Sequence, residues 1–250
     1  MPAPTPAVTV RDVWKTFGDI VAVQGLSFAV LPREIVASVG VTGAGKSTAL
    51  RMVMGSIGAD RGEVRVLGHD PVRELAVLRG KIAPVFQTDR LLPWRTALEN
   101  AALGLEILGV PHQERIERTR EWLVRLGLRN ATGRLPHELS GGMRQRVSLA
   151  RAFALDPQVL LLDEAFSHLD EVTAASVRAD FLALVRPLGT AVLLVTHSVA
   201  EAVEVADRVL VFGRPAHVLA EIPITPDVRG DPIARDRVHR EILAQIEAAI

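Results

Sequence analysis

Short apolar runs that predict β-strands alternate along this chain with stretches of helical periodicity. Two of these runs, Val159–Leu162 and Ala191–Val195, contain no polar residue, which is typical of strands buried on both faces of a sheet. The alternation predicts an α/β fold with a mostly parallel core sheet. The predicted strands are Val8–Val10, Leu26–Val30, Ile35–Val39, Glu63–Leu67, Val159–Leu162, Ala191–Val195 and Arg208–Phe212.

The strand pattern stops between residues 96 and 156, where apolar residues recur at helical spacing. We therefore expect a single domain in which a helical subdomain, residues 88–156, is inserted into an α/β core formed by residues 1–87 and 157–224. Residues 225–250 are expected to form a linker and a last helix. The apolar positions behind these helix predictions are Leu98, Ala101, Ala102, Leu105, Ile116, Leu123, Leu126, Ile242, Ile246 and Ile250.

The composition excludes several classes of function. In the 250 residues, 29 Lys and Arg balance 29 Asp and Glu, so no net positive charge attracts the chain to nucleic acid. Only 4% of the residues are aromatic, which leaves few platforms for stacking bases. No nucleic-acid partner is expected. The absence of cysteine excludes thiol nucleophiles, thiolate metal sites and disulfides within this chain.

The chain is not expected to cross a membrane by itself. A spanning helix needs about 20 consecutive apolar residues, and unbroken apolar runs such as Ala191–Val195 are far shorter. The first six residues also lack the basic and then apolar pattern of a secretory signal. The expected location is the cytoplasm.

The segment Gly40–Thr48, which we call the phosphate loop, fits the pattern G-x-x-x-x-G-K-[ST] and lies between a predicted strand and a helical run. Its glycines let backbone N–H groups turn inward around phosphate, and the following helix N-terminus favours negative charge. Lys46 would bridge the β- and γ-phosphates while Ser47 ligates Mg²⁺. The expected ATP-binding residues here are Gly40, Gly43, Ala44, Gly45, Lys46, Ser47 and Thr48.

Two acidic residues follow the apolar strand Val159–Leu162. The first, Asp163, would lie at the carboxyl edge of a parallel strand, where a carboxylate can hold Mg²⁺ through water. The second, Glu164, is then placed to accept a proton from the attacking water as a general base. These residues predict hydrolysis of the bound nucleotide.

A third motif, Leu139–Arg146, reads LSGGMRQR and precedes a helical run. With the other two motifs in the same order, it resembles the signature sequence of the ATP-binding subunits of ABC transporters, and the resemblance covers nearly the whole chain. We call Leu139–Gly142 the signature loop. Ser140, Gly141 and Gly142 begin a second helix, whose N-terminus can cap a γ-phosphate. The resemblance implies an ABC-type P-loop ATPase fold with an N-terminal antiparallel β part.

The resemblance also implies roles for four further residues. Gln87 matches the glutamine that senses Mg²⁺ and the attacking water, and His197 matches the histidine that contacts the γ-phosphate and orients Glu164. Asp170 matches a loop residue that reaches across the dimer interface to the nucleotide. Phe17 occupies the aromatic position that stacks on adenine, although a phenylalanine that fills the core is an alternative.

The resemblance further implies partners. In this family ATP lies between the phosphate loop of one subunit and the signature loop of another, so a chain with one copy of each is expected to form a dimer, most simply a homodimer. The apolar run Leu91–Trp94, within Gln87–Asn100, predicts a docking surface for a membrane permease. Packing of Trp94 at the subdomain junction is the alternative.

The segments around Trp94 and the signature loop look like the nitrate, taurine and aliphatic-sulfonate branch of bacterial importers. The resemblance then places the chain at the cytoplasmic face of the membrane, bound to a permease that receives solute from a solute-binding protein. Two other interpretations stay open: a soluble ABC-type ATPase with a non-membrane partner, and a small-molecule kinase. A kinase would have no need of the signature loop.

Overall fold

The computed structural model describes residues 4–248, and its spatial contacts divide the chain into two compact units. The first unit comprises the chain up to Leu78 and again from Gly189 onward, and the second comprises Arg79–Leu188. None of the helices formed by residues 4–248 is long and apolar enough to cross a membrane.

The first unit begins with four strands and two helices. They are β1 (Val8–Phe17), β2 (Ile20–Val30), β3 (Ile35–Gly40), α1 (Lys46–Val53), β4 (Arg61–Val66) and α2 (Leu75–Leu78). The second unit contains two strands, four α-helices and two short 3₁₀ turns. Its strands and α-helices are β5 (Ile82–Val85), α3 (Ala97–Ile107), α4 (His112–Arg125), α5 (Gly141–Phe153), β6 (Val159–Asp163) and α6 (Glu171–Leu188). The chain then returns to the first unit. The elements there are β7 (Ala191–Val195), α7 (Val199–Val205), β8 (Arg208–Phe212), β9 (Val218–Pro223), α8 (Pro226–Gly230) and α9 (Pro232–Glu247).

The strands of the first unit belong to two sheets. Strands β2, β1 and β4 pair antiparallel in that order, which is the antiparallel part implied by the resemblance. Strand β3 pairs parallel with β7 on one side and with β8 on the other, and β9 pairs antiparallel with β8. Every residue of β3 and β7 is buried, as the unbroken apolar run of β7 predicted. The predicted α/β fold, with a mostly parallel core sheet and a separate antiparallel part, is confirmed.

The second unit combines a parallel pair, β5 and β6, with a group of packed helices. An aromatic cluster forms its core: Phe153 stacks on Trp122 at 5.1 Å and on Phe181 at 6.1 Å between ring centroids, and Phe166 lies 5.7 Å from Phe181. Stacked and tilted rings at these distances bury large apolar areas and constrain helix spacing. No strand lies between residues 97 and 156, so the helical segment was predicted correctly.

The structure extends some predicted elements and adds others. Strands β1 and β2 extend to a tight turn at residues 18–19. The halves next to this turn were not predicted, because their side chains are partly exposed. Strand β9 was missed, since five of its six side chains are not buried. The last helix is present as α9, anchored by the fully buried Ile242, while Ile250 lies outside the described residues. The compact units group the helical segment 88–156 with β5, β6 and α6. The division of the chain at residues 88, 156 and 224 stays a prediction.

Candidate functional site

The phosphate loop connects β3 to α1 in a conformation that requires glycine. Gly45 has a left-handed φ of 87°, and a Cβ there would lie 2.4 Å from the Ala22 carbonyl oxygen. A Cβ on Gly40 would lie 2.5 Å from the carbonyl oxygen of Phe212. Any side chain at either position would displace neighbouring backbone. Gly45 supplies no side-chain cap to α1, and a helix N-terminus of this kind favours an anionic ligand.

Lys46 lies over the phosphate loop and is only 6% exposed. Its ammonium donates hydrogen bonds to the carbonyl oxygens of Gly40, at 2.7 Å, and Val41, at 3.0 Å. These bonds hold the positive charge against the first residues of the phosphate loop. Ala44 is buried, Ser47 is exposed and Thr48 is half-buried.

His197 follows β7, the strand that pairs parallel with β3. The carboxyl ends of parallel strands meet at one edge of a sheet, so His197 and the phosphate loop lie at the same edge of the first unit. The preceding Thr196 is fully buried. Its hydroxyl donates to Glu201 at 3.1 Å and accepts from the backbone N–H of Ser198 at 3.0 Å. These bonds order the turn that presents the exposed His197.

Phe17 ends strand β1 and is 44% exposed. It therefore does not fill the core, which was the alternative to the adenine platform. The Lys15 ammonium lies 5.4 Å from the centroid of its ring, a favourable cation–π distance. Contact with adenine stays a prediction.

The second unit brings the predicted base and the predicted glutamine together. Asp163 ends β6, Glu164 follows it, and Gln87 lies two residues beyond the parallel neighbour β5. The Gln87 Nε2 donates a hydrogen bond to the Glu164 Oε2 at 3.0 Å. Glu164 has a φ of 48°, in the left-handed region that few non-glycine residues adopt. Such backbone strain is concentrated at functional sites in proteins.

The signature loop forms the start of α5, with Ser140 as the N-cap. The Ser140 hydroxyl accepts a hydrogen bond from the Met143 N–H at 3.3 Å. A Cβ on Gly142 would lie 2.5 Å from the Thr173 methyl group, so only glycine allows this approach between α5 and α6. Gly141 faces Leu169 in the same way, with a longer distance of 3.4 Å.

Asp170 precedes α6 and caps its first turn. Its carboxylate accepts a hydrogen bond from the Thr173 N–H at 3.0 Å, and this bond lowers the pKa of the Asp170 side chain. Because Thr173 also contacts Gly142, Asp170 and the signature loop are neighbours within the second unit. Contact between Asp170 and a nucleotide stays a prediction.

Trp94 is 72% exposed, and therefore contributes little to packing. The residues that order its segment were missed by the sequence patterns. Asn100 is fully buried in α3. Its side chain accepts from the Leu92 N–H at 2.7 Å and donates to three carbonyls, those of Leu92, Arg95 and Thr96, at 2.8–3.1 Å. An asparagine among the apolar positions of α3 was the available signal.

These features define a nucleotide-binding protein with a phosphate loop. In its second unit, the signature loop begins helix α5 and Ser140 caps that helix. A family model described as ABC transporter matches residues 23–167, more than half of the chain. The chain belongs to the ABC transporter family.

Among curated proteins, the chain is 41% identical over 211 residues to the methionine import ATP-binding protein MetN of Brucella abortus (strain 2308), covering 83% of this chain and 57% of MetN. It is 42% identical over 206 residues to the Fe(3+) ions import ATP-binding protein FbpC of Brucella melitensis biotype 1, covering 82% of this chain and 58% of FbpC. The chain thus spans little more than half the length of these curated relatives.

Among solved structures, the dimeric structure of MJ0796, a bacterial ABC transporter cassette, aligns with a TM-score of 0.76 at 29% identity. The alignment covers 87% of this chain and 99% of that one. A dimeric post-hydrolysis state of the same cassette, bound to ADP and Pi, aligns with a TM-score of 0.75.

Proposed function

We propose that this chain is the ATPase subunit of an ABC importer, which binds ATP with Mg²⁺ at the phosphate loop and hydrolyses it. The observation that carries the proposal is the contact between Gln87 and Glu164, because it fixes the orientation of the one carboxylate predicted to act as base. The solved relative bound to ADP and Pi supports the same chemistry.

In the proposed mechanism, the Glu164 carboxylate takes a proton from the water that attacks the γ-phosphate, and the bond between the γ-phosphorus and the bridging oxygen breaks as ADP leaves. Gln87 keeps this carboxylate from turning away, and His197 donates a hydrogen bond to the γ-phosphate from its edge of the first unit. Lys46 exchanges its bonds to loop carbonyls for bonds to phosphate oxygens. Developing negative charge on the phosphate would thereby be stabilised by the Lys46 ammonium and the His197 hydrogen bond.

The residues present fit Mg²⁺, which prefers hard oxygen ligands. By the resemblance these are the Ser47 hydroxyl, the Gln87 amide oxygen and, through water, the Asp163 carboxylate. Because Gln87 donates its Nε2 to Glu164, its Oε1 would be the atom that ligates the ion. When bound, Mg²⁺ would neutralise negative charge on the phosphates.

The proposed working unit is a head-to-tail dimer of two copies. Ser140, Gly141, Gly142 and Asp170 of one copy would complete the site that the phosphate loop of the other begins. The exposed positions of Ser140 and Asp170 support this arrangement, and so does the dimeric structure of the solved relative MJ0796. ATP binding would close the two copies and hydrolysis would release them.

The proposed membrane partner is a permease that docks on the segment Gln87–Asn100. The exposed Trp94 offers a large aromatic surface, and Asn100 forms hydrogen bonds with the backbone on both sides of it. Curated relatives are named as import ATP-binding proteins, which supports a peripheral position at the cytoplasmic face of the membrane. The permease in turn would receive solute from a solute-binding protein.

For the solute, we propose a small anion: nitrate, taurine or an aliphatic sulfonate. The support is the resemblance of the Leu91–Trp94 segment and the signature motif to that branch. The names of the curated relatives mention methionine, Fe(3+) ions and trehalose or maltose. These solutes are chemically unlike one another, so the names do not indicate one solute for this chain. Growth of a deletion strain with each anion as the only nitrogen or sulfur source would test the proposal. A defect confined to methionine, iron or sugars would refute it.

The activity is tested by measuring ATP hydrolysis of the purified chain over a range of protein concentrations. We expect a rate that rises faster than linearly with concentration, because each site needs two copies, and that disappears in Glu164→Gln. Hydrolysis proportional to concentration would contradict the shared site. Phosphate transfer to a small molecule instead of water would favour the kinase interpretation.

A further inference from the structure

Two arginines of α5 form hydrogen bonds with the loop that begins at Gln87. We call residues 87–92 the Q-loop segment. The Arg144 Nε donates to the Asp89 Oδ2 at 2.9 Å, and its Nη1 donates to the Leu139 carbonyl oxygen at 2.8 Å. One guanidinium therefore bonds to both the Q-loop segment and the signature loop. Both side chains of the ion pair are partly buried, which limits its screening by solvent.

Arg151 lies two helical turns further along the same face of α5. Its Nη2 donates to the Asp89 carbonyl oxygen at 2.7 Å and its Nη1 to the Arg90 carbonyl oxygen at 3.1 Å. Burial lowers the pKa of Arg151, yet an arginine remains charged at neutral pH. The Q-loop segment is thus bonded through its backbone as well as through a side chain.

Further contacts restrain the Q-loop segment between these anchors. The Asp89 Oδ1 accepts a hydrogen bond from the Leu91 N–H at 3.2 Å. The Arg90 guanidinium lies 3.6 Å from the centroid of the Phe86 ring, and Arg90 has a left-handed φ of 48°. At the start of the segment, Gln87 bonds to Glu164. Only one residue separates Gln87 from Asp89, so we expect a displacement of Gln87 to move Asp89 as well.

We propose that Asp89 and Arg144 are positioning residues that make the signature loop move with Gln87. The inference rests on the proposed function, in which Gln87 serves the chain's own nucleotide and the signature loop serves the nucleotide of the second copy. The ion pair then connects the two ATP sites of the dimer within each chain. Closure at one site aligns Ser140 for the other, which makes hydrolysis cooperative in ATP.

The chain provides a matched control on the same helix. Arg146 donates to the Asp180 Oδ2 at 2.7 Å and 3.1 Å, with side-chain exposures similar to those of Arg144 and Asp89. This second ion pair attaches α5 to α6 and does not involve the Q-loop segment. A change of α5 stability alone would affect both pairs alike, whereas the proposed connection involves only Asp89 and Arg144.

The kinetic test compares Asp89→Asn with Asp180→Asn in the purified full chain. For Asp89→Asn we expect kcat to fall about three- to fivefold and the Hill coefficient for ATP to fall to about 1, with the affinity of single chains for ATP unchanged. Asp180→Asn should retain the wild-type Hill coefficient. Equal effects of the two substitutions, or a wild-type Hill coefficient of about 1, would overturn the proposal.

Reversal of the pair, Asp89→Arg with Arg144→Asp, should restore most of the cooperativity that either single substitution removes. Purely additive losses would contradict a connection through this pair. If the wild-type chain fails to hydrolyse ATP, the proposed function fails, and hydrogen exchange then tests the connection separately. Asp89→Asn should accelerate amide exchange in residues 139–144 as well as in 87–92. Acceleration confined to 87–92 would overturn the inference.

Discussion

The Gln87 side-chain amide donates a hydrogen bond of 3.0 Å to the Glu164 carboxylate, although 77 residues separate them in the chain. The parallel pairing of β5 and β6 produces this contact, because Gln87 and Glu164 both lie just beyond the carboxyl ends of these strands. The bond leaves the Gln87 amide oxygen as the atom available to accept or ligate. We therefore expect this glutamine to couple the orientation of the proposed base to the binding of the proposed cation.

Glu164→Gln should preserve ATP binding but reduce turnover by about 10²-fold or more, because the general base is lost while the phosphate loop is unchanged. The variant is expected to accumulate as an ATP-bound dimer. Steady-state hydrolysis, equilibrium ATP binding and light scattering measure the three effects. Glu121 is exposed on α4, and Glu121→Gln is the control that should behave as wild type. Wild-type turnover in Glu164→Gln would remove Glu164 from the mechanism.

Gly45→Ala should destabilise the fold by about 2–4 kcal/mol and abolish ATP binding, because its Cβ would overlap the Ala22 carbonyl oxygen and φ is 87°. Gly58→Ala is the matched control, since a Cβ there meets nothing within 4 Å. Urea denaturation and ATP titration of both variants would check this. Equal stability of the two variants would show that the loop tolerates a side chain.

Trp94→Ala should change the free energy of unfolding by no more than about 0.5 kcal/mol, because the side chain is largely exposed. Basal ATP hydrolysis should persist while transport through the permease falls. Trp122→Ala provides the contrast: its ring stacks on Phe153, so we expect a loss of about 2–4 kcal/mol. Unchanged transport in Trp94→Ala would exclude this tryptophan from the docking surface.

Asn100→Ala should cost about 2–3 kcal/mol of unfolding free energy, because it removes the hydrogen-bond partners of Leu92, Arg95 and Thr96 at a fully buried position. The exposed Asn130→Ala should have little effect. Thermal and urea unfolding would compare the two. We expect faster amide exchange at Leu92 in Asn100→Ala, and no change there would indicate that other contacts hold the segment.

Stability should fall at acid pH through the cap of α3. Hydrogen bonds from the Thr96 N–H and hydroxyl lower the pKa of Glu99 below that of the unfolded chain. This contribution is fully present above the unfolded pKa, about 4.3, and is lost as pH falls through the lower folded pKa. Glu99→Gln should flatten the dependence of unfolding free energy on pH between about 5 and 3. An unchanged slope would mean that other carboxylates dominate.

Much of this protein could be predicted from sequence patterns, because the responsible interactions are local. The buried strands β7 and β8 were predicted with their observed ends, and Gly40, Gly45 and Lys46 were recognised because a phosphate loop needs its residues at fixed spacing. The helical segment after residue 96 was predicted from the helical spacing of its apolar residues. Strand β9 was not, since its side chains are mostly exposed and only pairing with β8 makes it a strand.

The sequence alone therefore determined the fold class, the nucleotide-binding motifs and the family resemblance, all of which depend on residue type and spacing. Only the tertiary structure decided that Gln87 touches Glu164, that Arg144 joins Asp89 to Leu139, and that Trp94 is exposed. These relationships join segments about 50 or more residues apart or depend on what covers a side chain. Such contacts depend on how strands and helices pack, and the spacing of apolar residues along the chain does not predict them.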